Sequence, residues 1–314
     1  MTMEKNSKIF VAGHRGLVGS ALIRQLTKLG YVNIITADRK LLDLTRQSEV
    51  EKFFKINKPE YVFLAAAKVG GINFNKNFPA TFIRDNVQIQ TNVIDSSYES
   101  GAKKLLFLGS ACIYPKITSQ PIKEEYLLTN VLEPTNEAYA IAKIFGLKMC
   151  QMYNKQHGFN AISLMPTNIY GPNDNFNVEE CHVIPGMINK FLTAKENGNE
   201  PVVLWGDGTP TRQFMHSEDL ADACIFLMNN YNDPEIINVS TDVEYTIKDL
   251  SGILKQKLGY TGNINWDITK PNGTPRRKVC IEKLSKLGWY PKISFEDGLS
   301  QTVDWFLNNR SKLK

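Results

Sequence analysis

The stretch Lys8-Ile9-Phe10-Val11-Ala12-Gly13-His14-Arg15-Gly16-Leu17-Val18-Gly19 decides the fold predicted for this 314-residue chain. Residues 8–12 are mainly apolar, which predicts a short buried strand, and residues 20–29 have the periodicity of a helix. Between them the glycines follow the pattern G-x-x-G-x-x-G instead of G-x-G-x-x-G. A strand, a glycine turn and a helix in this order predict a loop that binds the pyrophosphate of a dinucleotide, because glycine lets the backbone approach the phosphates.

The same alternation of strands and helices continues beyond this loop. Apolar runs predict strands at residues 32–37, 61–67 and 105–108, and a long helix at 79–99 separates the last two. A further apolar run at 236–239 predicts another strand of the same sheet. This alternation predicts an α/β fold with a parallel, right-handed, doubly wound sheet of the Rossmann type.

The second half of the chain predicts a smaller domain that interrupts the sheet domain. A helix is expected at 183–196, a strand at 202–205 and a turn at 206–210. A further helix is expected at 220–229, with Ser217 as its N-cap.

These elements predict two discontinuous domains. We expect the cofactor-binding sheet domain to comprise residues 1–170 and 214–240, and the substrate domain to comprise residues 171–213 and 241–314. The site is expected in the cleft between the two domains.

Composition narrows the class of protein. With 42% hydrophobic and 22% charged residues, the chain has the make-up of a soluble globular protein. It has no apolar run near the roughly 20 residues of a membrane span, and its first residues lack an apolar signal core, so we expect a cytoplasmic protein without a membrane partner. Five widely spaced cysteines indicate neither a disulfide framework nor a zinc ribbon. The net charge of +5 is spread without blocks and does not indicate nucleic-acid binding.

The residues after the second predicted strand bear on which dinucleotide binds. An acidic residue at this place binds the ribose 2′-hydroxyl of NAD, whereas a nearby arginine accommodates the 2′-phosphate of NADP. The chain has both, as Asp38 and Arg39, and Arg15 in the glycine turn adds a second cation. We therefore expect NADP, with a surface turn as the alternative role of Arg39.

A tyrosine and a lysine are the main candidates for catalytic residues. Tyr139 and Lys143 lie four positions apart, so a helix would place them on one face, one turn apart. An ammonium beside a phenol lowers the phenol pKa from its reference value of about 10, and such a phenol exchanges protons with a carbonyl or alcohol oxygen. Ser110 follows the predicted strand at 105–108 and could point a hydroxyl at the same place. The alternative for the pair is a solvated helix face.

Several longer stretches of sequence indicate a known protein family. They include Gly109-Ser110-Ala111-Cys112-Ile113-Tyr114-Pro115, Leu132-Glu133-Pro134-Thr135-Asn136-Glu137-Ala138-Tyr139 and Cys181-His182-Val183-Ile184-Pro185. With these and the glycine turn, the chain resembles the extended short-chain dehydrogenase/reductase family over essentially its whole length. Within that family it resembles the enzymes that epimerise and reduce a GDP-4-keto-6-deoxy sugar.

The resemblance implies roles for five side chains. Tyr139 would give a proton to the sugar O4 as hydride reaches C4, Lys143 would lower the phenol pKa and hold the nicotinamide ribose, and Ser110 would hydrogen-bond the same oxygen. For epimerisation at C3 and C5, it implies Cys112 as base and His182 as acid. The alternatives are a small buried thiol and a hydrogen-bonded loop histidine.

The resemblance also implies the ligand contacts and a homodimer. The substrate's GDP part would be bound by Lys190, Trp205, Arg212 and Arg277. NADP(H) would be bound by Gly13, His14, Arg15, Gly16, Leu17, Val18, Gly19, Arg39, Asp43, Leu44, Ala65, Ala67, Leu108, Lys143, Pro166, Asn168, Ile169 and His182.

Three positions depart from the family pattern. Ala111 replaces a serine that is common there, Lys190 stands where arginine is usual, and Arg277 stands where lysine is frequent. The loss of the serine hydroxyl beside Cys112 keeps a second hypothesis open: reduction, with or without epimerisation, of a related GDP-4-keto-6-deoxy sugar such as a heptose. A third hypothesis is a non-catalytic binder of a nucleotide sugar or dinucleotide, which would not need the proton chemistry of these side chains.

Overall fold

The computed structural model describes residues 2–177, 180–270 and 272–312. The strands in these ranges are β1 Ile9–Ala12, β2 Ile34–Ile35, β3 Tyr61–Leu64, β4 Lys104–Leu108, β5 Ala161–Pro166, β6 Asn168–Tyr170, β7 Val202–Trp205, β8 Thr211–His216, β9 Ile237–Val239, β10 Glu244–Thr246, β11 Ile264–Asp267 and β12 Arg276–Arg277. The α-helices are α1 Leu17–Lys28, α2 Gln47–Asn57, α3 Ile72–Asn77, α4 Pro79–Glu99, α5 Glu137–His157, α6 Val183–Glu196, α7 Ser217–Asn230, α8 Ile247–Lys257, α9 Glu282–Lys286 and α10 Phe295–Asn309. Short 3-10 helices lie at Ala111–Ile113, Glu124–Tyr126, Pro134–Asn136 and Arg310–Lys312.

Six parallel strands form the central sheet in the order β2-β1-β3-β4-β5-β9. This confirms the predicted doubly wound α/β sheet, including its last strand at 237–239. Strand order reverses at β1, because β2 lies on one side of it and β3 on the other. In open α/β sheets, ligands bind outside the carboxyl ends of the strands at such a switch point.

Helices cover both faces of this sheet because its strands are apolar on both sides. Every residue of β1, β3, β4 and β5 is buried. One apolar cluster packs β1 and β3 against α1 and α7, and the other packs the opposite face against α2, α4 and α5. Strands buried on both faces are typical of parallel sheets, and this burial fixes the loops at the sheet edge.

A second set of elements packs around its own apolar cluster, formed by residues of α6, α8, α10 and the strands near them. Strand β8 joins the two parts, because its first half pairs with β10 and β12 and its second half pairs with β6. Strands β7 and β11 form a separate parallel pair.

The domain boundaries remain a prediction. One segment assigned to the substrate domain packs against the other domain. Leu284 and Trp289 lie in the part of the chain predicted as substrate domain, yet they are buried in the first cluster of the central sheet. The segment around α9 therefore packs against the sheet domain.

Several element boundaries differ from those predicted. The second strand spans only Ile34–Ile35 instead of 32–37, since only these two residues pair with β1. The predicted strand at 61–67 ends at Leu64, and helix α1 begins at Leu17 instead of residue 20.

The prediction of Ser217 as an N-cap was wrong. His216 caps α7 instead, because its imidazole accepts a hydrogen bond from the Glu218 backbone N–H at 3.4 Å. None of the described helices combines the length and apolar character needed to cross a membrane.

Candidate active site

The glycine turn packs directly against the segment that follows β3. Gly13 has a positive φ of +85°, and a Cβ there would lie 2.8 Å from the Ala66 Cα. A Cβ on Gly19 would lie 2.0 Å from the Gly13 carbonyl oxygen. Side chains are therefore excluded at both positions, and the backbone stays open at the switch point of the sheet.

The N-terminus of α1 is suited to an anion. Gly16 is its N-cap and supplies no side-chain hydrogen bond, and the first turn holds no acidic residue. The unpaired N–H groups and the positive end of the helix dipole favour a phosphate here.

Beside the turn, Arg15 and Asp38 form an ion pair with 3.1 Å between Nη2 and Oδ2. The other oxygen of Asp38 accepts hydrogen bonds from the backbone N–H groups of Lys40 and Leu41. Arg39 is exposed next to this loop. Partial burial, with the nearby Arg15 charge, lowers the pKa of His14. Asp38, the acidic residue that would bind the ribose of NAD, is therefore paired with Arg15.

The loop after β2 is held by its own hydrogen bonds. Asp43 accepts from the Thr45 N–H at 3.0 Å and from the Thr45 hydroxyl at 2.8 Å. Partial burial raises the pKa of Asp43, but these bonds and the positive charges of Arg39 and Arg46 outweigh it and lower that pKa overall. The Leu44 carbonyl accepts from the Asn92 side chain on α4.

The remaining predicted cofactor contacts gather at one edge of the sheet. Parallel strands end together, so the residues after them share this edge. Asn168 is partly engaged, because its amide donates to the Gln213 carbonyl at 3.0 Å. The contacts that follow or end strands β3 to β5 are Ala65, Ala67, Leu108, Pro166, Asn168 and Ile169.

Lys143 is fixed against the end of β4. It is only 3% exposed, and its ammonium donates to the Leu108 carbonyl oxygen at 2.6 Å. The same ammonium lies 4.9 Å from the centre of the Phe107 ring and 5.7 Å from that of Tyr139. Burial lowers the pKa of Lys143 to about 8.

Tyr139 lies one helical turn before Lys143 on α5, as predicted, but its phenol is not acidified in the protein alone. Burial raises the pKa of Tyr139, and the nearby Cys112 raises it further. The expected lowering by Lys143 is therefore not seen. The physical reason is that the ammonium is bound to the Leu108 carbonyl, while the desolvation of the phenol is uncompensated.

Ser110 and Cys112 lie on a single 3-10 turn just beyond β4. Ser110 is the N-cap of this turn, and its hydroxyl accepts from the Cys112 N–H at 3.3 Å. Burial raises the pKa of the Cys112 thiol, although Ser110 and the charges of Arg277 and Lys143 act in the opposite direction. At neutral pH the thiol is therefore protonated in the protein alone.

His182 lies in the turn before α6 and is the N-cap of that helix. That turn is tied to the one before α3, since the Gly71 N–H donates to the Glu180 carbonyl at 2.7 Å. A Cβ on Gly71 would lie 2.6 Å from the Cys181 carbonyl oxygen. His182 is exposed, yet the surrounding protein desolvates its ring enough to lower the imidazole pKa.

Two arginines meet in the small sheet of the second part. Arg212 on β8 and Arg277 on β12 are direct partners in the strand register. Burial and the charge of Arg277 lower the pKa of Arg212 to about 10. Burial likewise lowers the pKa of Arg277. Adjacent like charges of this kind favour an anion between them.

Trp205 and Lys190 lie further along the second part. Trp205 is 45% exposed at the end of β7, and the Lys190 ammonium donates to the Val203 carbonyl at 3.1 Å. The sequence pattern did not indicate Lys270 beside this indole, or Asn272 beside the turn that follows β7. The Lys270 ammonium lies 5.8 Å from the indole centre, and the Asn272 side chain accepts from the Asp207 N–H at 2.8 Å. Only the pairing of β11 with β7 reveals this proximity.

The structure thus brings Ser110, Cys112, Tyr139 and Lys143 together where β4 meets α5, and Arg277 joins them from the second part. A separate cavity of about 690 Å³ is lined by none of the predicted site residues. Its walls are largely aromatic and aliphatic, and it is not the candidate site.

Residues 9–240 match the family described as NAD dependent epimerase/dehydratase. The chain belongs to this family. It is also 58% identical to "GDP-L-fucose synthase 1" of Arabidopsis thaliana over 306 residues, which is 98% of this chain and 95% of that protein.

Two solved structures from the family show how far the similarity extends. A "GDP-6-OMe-4-keto-L-xylo-heptose reductase" from C. jejuni superposes with a TM-score of 0.93 at 34% identity, covering 98% of this chain and 100% of that one. A "gdp-l-fucose synthetase" from Naegleria fowleri bound to NADP superposes with a TM-score of 0.92 at 31% identity, covering 99% and 97%.

Proposed function

We propose that this family member is an NADPH-dependent enzyme that converts GDP-4-keto-6-deoxy-D-mannose to GDP-L-fucose. It epimerises C3 and C5 of the sugar and reduces the ketone at C4. The observation that carries this function is the meeting of Ser110, Cys112, Tyr139 and Lys143 on the edge of the sheet that also holds the glycine turn. The similarity to GDP-L-fucose synthases over nearly the whole chain supports the choice of sugar.

The residues present fit NADP(H). The turn at Gly13 leaves the backbone bare, and the N-terminus of α1 offers N–H groups without a competing acid. Arg15 and Arg39 supply positive charge for a 2′-phosphate, and Lys143 lies at the end of β4 where the nicotinamide ribose is expected. When bound, NADPH supplies the hydride that reduces the C4 ketone.

For reduction, Tyr139 is the proton donor to O4. Its raised pKa keeps the phenol protonated at neutral pH, so the donor form is present before the reaction. Ser110 hydrogen-bonds the same oxygen. The Lys143 ammonium, with its pKa near 8, is charged at pH 7 and favours the phenolate that remains after the proton has left.

Epimerisation is possible because the C4 ketone makes the protons on C3 and C5 acidic. Cys112 removes such a proton as a thiolate, while the hydroxyl groups of Ser110 and Tyr139 stabilise the negative charge on O4. His182 returns a proton on the opposite face of the ring. Because the pKa of Cys112 is raised and that of His182 is lowered, substrate binding must bring both groups toward their working protonation states.

The second part binds the nucleotide. Arg212, Arg277 and Lys190 hold the diphosphate by charge-assisted hydrogen bonds, and the exposed face of Trp205 packs against the base or ribose. Lys190 keeps the charge but not the planar fork of an arginine.

The proposed enzyme is a homodimer of the cytoplasm. Helix α5 carries an exposed apolar stripe of Ile141, Phe145 and Met152, which are 42%, 41% and 50% exposed, and this stripe supports pairing through α5. All five cysteines are free, as in a reducing compartment.

A labelling experiment tests the function. Incubation with GDP-4-keto-6-deoxy-D-mannose and NADPH in deuterated water should give GDP-L-fucose with deuterium at C3 and C5. NMR spectroscopy of the product reads both its configuration and its label positions. Reduction without label, or no turnover of this sugar, would contradict the proposal.

A second candidate is a C4 reductase for a GDP-4-keto heptose. The observation in its favour is the TM-score of 0.93 with the heptose reductase from C. jejuni. Turnover of a GDP-4-keto-heptose at a higher kcat/KM than the 6-deoxy sugar would favour this candidate.

A further inference from the structure

We propose that Arg277 positions the turn carrying Cys112 and couples this turn to the diphosphate of the bound nucleotide sugar. The inference rests on the proposed function, because it assigns a purpose to a contact between the nucleotide-binding wall and the proposed base. Arg277 is thus a positioning residue for epimerisation as well as a phosphate ligand.

The contact spans the turn on both sides of Cys112. The Arg277 Nη2 donates to the Ala111 carbonyl oxygen at 3.1 Å and to the Tyr114 carbonyl oxygen at 2.8 Å. One nitrogen from the second part therefore holds the backbone before and after the thiol.

The turn has few strong bonds of its own. Ile113 N–H donates to the Ser110 carbonyl at 3.2 Å, and Tyr114 N–H donates to the Ala111 carbonyl at 3.4 Å. The bond from the Cys112 N–H to the Ser110 hydroxyl is 3.3 Å long. These lengths are at or beyond the long end for N–H···O bonds, so the shorter contacts from Arg277 add the stronger hydrogen bonds to the backbone of the turn.

Arg277 has donor capacity left for a ligand. Its Nε is buried and has no hydrogen-bond partner among the described residues. Its strand partner is the cation Arg212, and neither guanidinium has a carboxylate within 4 Å in the described ranges. A diphosphate would satisfy the unpaired N–H and offset the two like charges together.

The planar guanidinium is what links the two contacts. Its N–H groups stand in a fixed fork, so an anion that orients Nε also orients Nη2 and the carbonyl groups bound to it. A methionine would keep the length of the side chain but lose both the charge and the N–H groups. Three charged or titratable side chains face the thiol: Arg277 from β12, and Lys143 and Tyr139 from α5. Glu133 and Tyr114 interact electrostatically with Arg277.

The first test compares Arg277→Met with wild type in the full chain, and Arg277→Lys is the conservative variant because lysine is frequent at this position in the family. The matched control is Arg276→Met, because Arg276 is the neighbouring arginine and pairs with Glu244 on the surface. We expect Arg277→Met to lower kcat for deuterium exchange at C3 and C5 about tenfold or more, and to lower kcat for reducing an already epimerised ketone by a factor at least about threefold smaller. Arg277→Lys should recover most of the exchange rate, and the control should leave both rates within about twofold.

The second test needs no turnover, so its failure is separable from failure of the proposed function. The probe is GDP, and the readout is the rate of Cys112 alkylation by iodoacetamide, followed on the Cys112 peptide by mass spectrometry. In wild type and in Arg276→Met, we expect GDP to change this rate about threefold or more. In Arg277→Met the rate should no longer respond to GDP, although calorimetry should still detect GDP binding.

Two results would overturn the inference. One is an Arg277→Met enzyme that exchanges deuterium at the wild-type rate. The other is a Cys112 alkylation rate that responds to GDP equally in Arg277→Met and wild type. If Arg277→Met fails to fold, Arg277→Gln carries the test, with its thermal midpoint measured alongside.

Discussion

Lys143 and Arg277 bring positive charge to the same turn, but they are held in different ways. Lys143 belongs to the sheet domain, where its ammonium is buried and bound to the Leu108 carbonyl at 2.6 Å. Arg277 comes from the second part, where one buried N–H is left without a partner. The comparison teaches that the sheet-domain side of the cleft holds its cation in the protein alone, whereas the proposed nucleotide side keeps a donor for an anionic ligand.

The largest expected effect tests the sheet-domain side. Tyr139→Phe removes the proton donor, so we expect the reduction rate to fall about 10³-fold while NADPH binding stays within about twofold. Stopped-flow absorbance of NADPH and fluorescence titration measure the two quantities. Retained reduction would show that the phenol is not the acid.

The next effect separates the two reactions of the cleft. Cys112→Ser replaces a thiol by a much weaker acid, so we expect deuterium uptake at C3 and C5 to fall about 10²-fold or more. Reduction of an already epimerised ketone should stay within about threefold of wild type, because the hydride step does not use the thiol. Unchanged uptake would remove Cys112 from its role as base.

The nucleotide side should respond in binding more than in chemistry. Arg212→Ala removes one of two adjacent cations, and we expect the KM for the GDP-sugar to rise about 10- to 30-fold. Steady-state kinetics at saturating NADPH measure this change, with Arg276→Ala as the surface control. An equal loss in both variants would contradict a diphosphate site at Arg212.

The cofactor side should show which dinucleotide the cations select. Arg39→Ala removes charge near the ribose, so we expect the Kd for NADPH to rise about tenfold and that for NADH to change less than about twofold. Fluorescence titration with both dinucleotides measures this. Equal losses would mean that Arg39 does not recognise a 2′-phosphate.

The last expected effect concerns pH and is small near neutral pH. Burial lowers the pKa of Lys143 to about 8, so its ammonium is present below pH 8 and is lost above it. We expect kcat/KM for reduction to fall above pH 8, approaching about tenfold per pH unit. A profile that stays level to pH 10 would show that the charge of Lys143 is not needed.

Local patterns predicted the sheet and the helix that carries Tyr139 and Lys143 well, because apolar runs and glycine spacing report local structure. The strand at 237–239 and the placement of Tyr139 with Lys143 on α5 are confirmed. The pKa of Tyr139 was predicted in the wrong direction, since a sequence shows the nearby ammonium but not the burial of the phenol. The roles assigned to the site residues remain predictions.

The nucleotide side was harder to predict because its neighbours are distant in the chain. Lys270 and Asn272 lie near Trp205 only through the pairing of β11 with β7. Arg277 contacts Ala111 across 166 positions of sequence. The methyl group of Ala111 is itself buried in an apolar cluster, so the missing serine hydroxyl would not have faced open solvent.

A crystal structure of Tyr139→Phe with NADP and GDP-4-keto-6-deoxy-D-mannose tests the central claim most directly. The account predicts the C4 ketone oxygen within hydrogen-bond distance of the Ser110 hydroxyl and beside position 139. It further predicts Cys112 and His182 on opposite faces of the sugar ring, with the diphosphate bound by Arg212 and Arg277. A sugar ring that faces away from Ser110, or a thiol and imidazole on the same face, would contradict it.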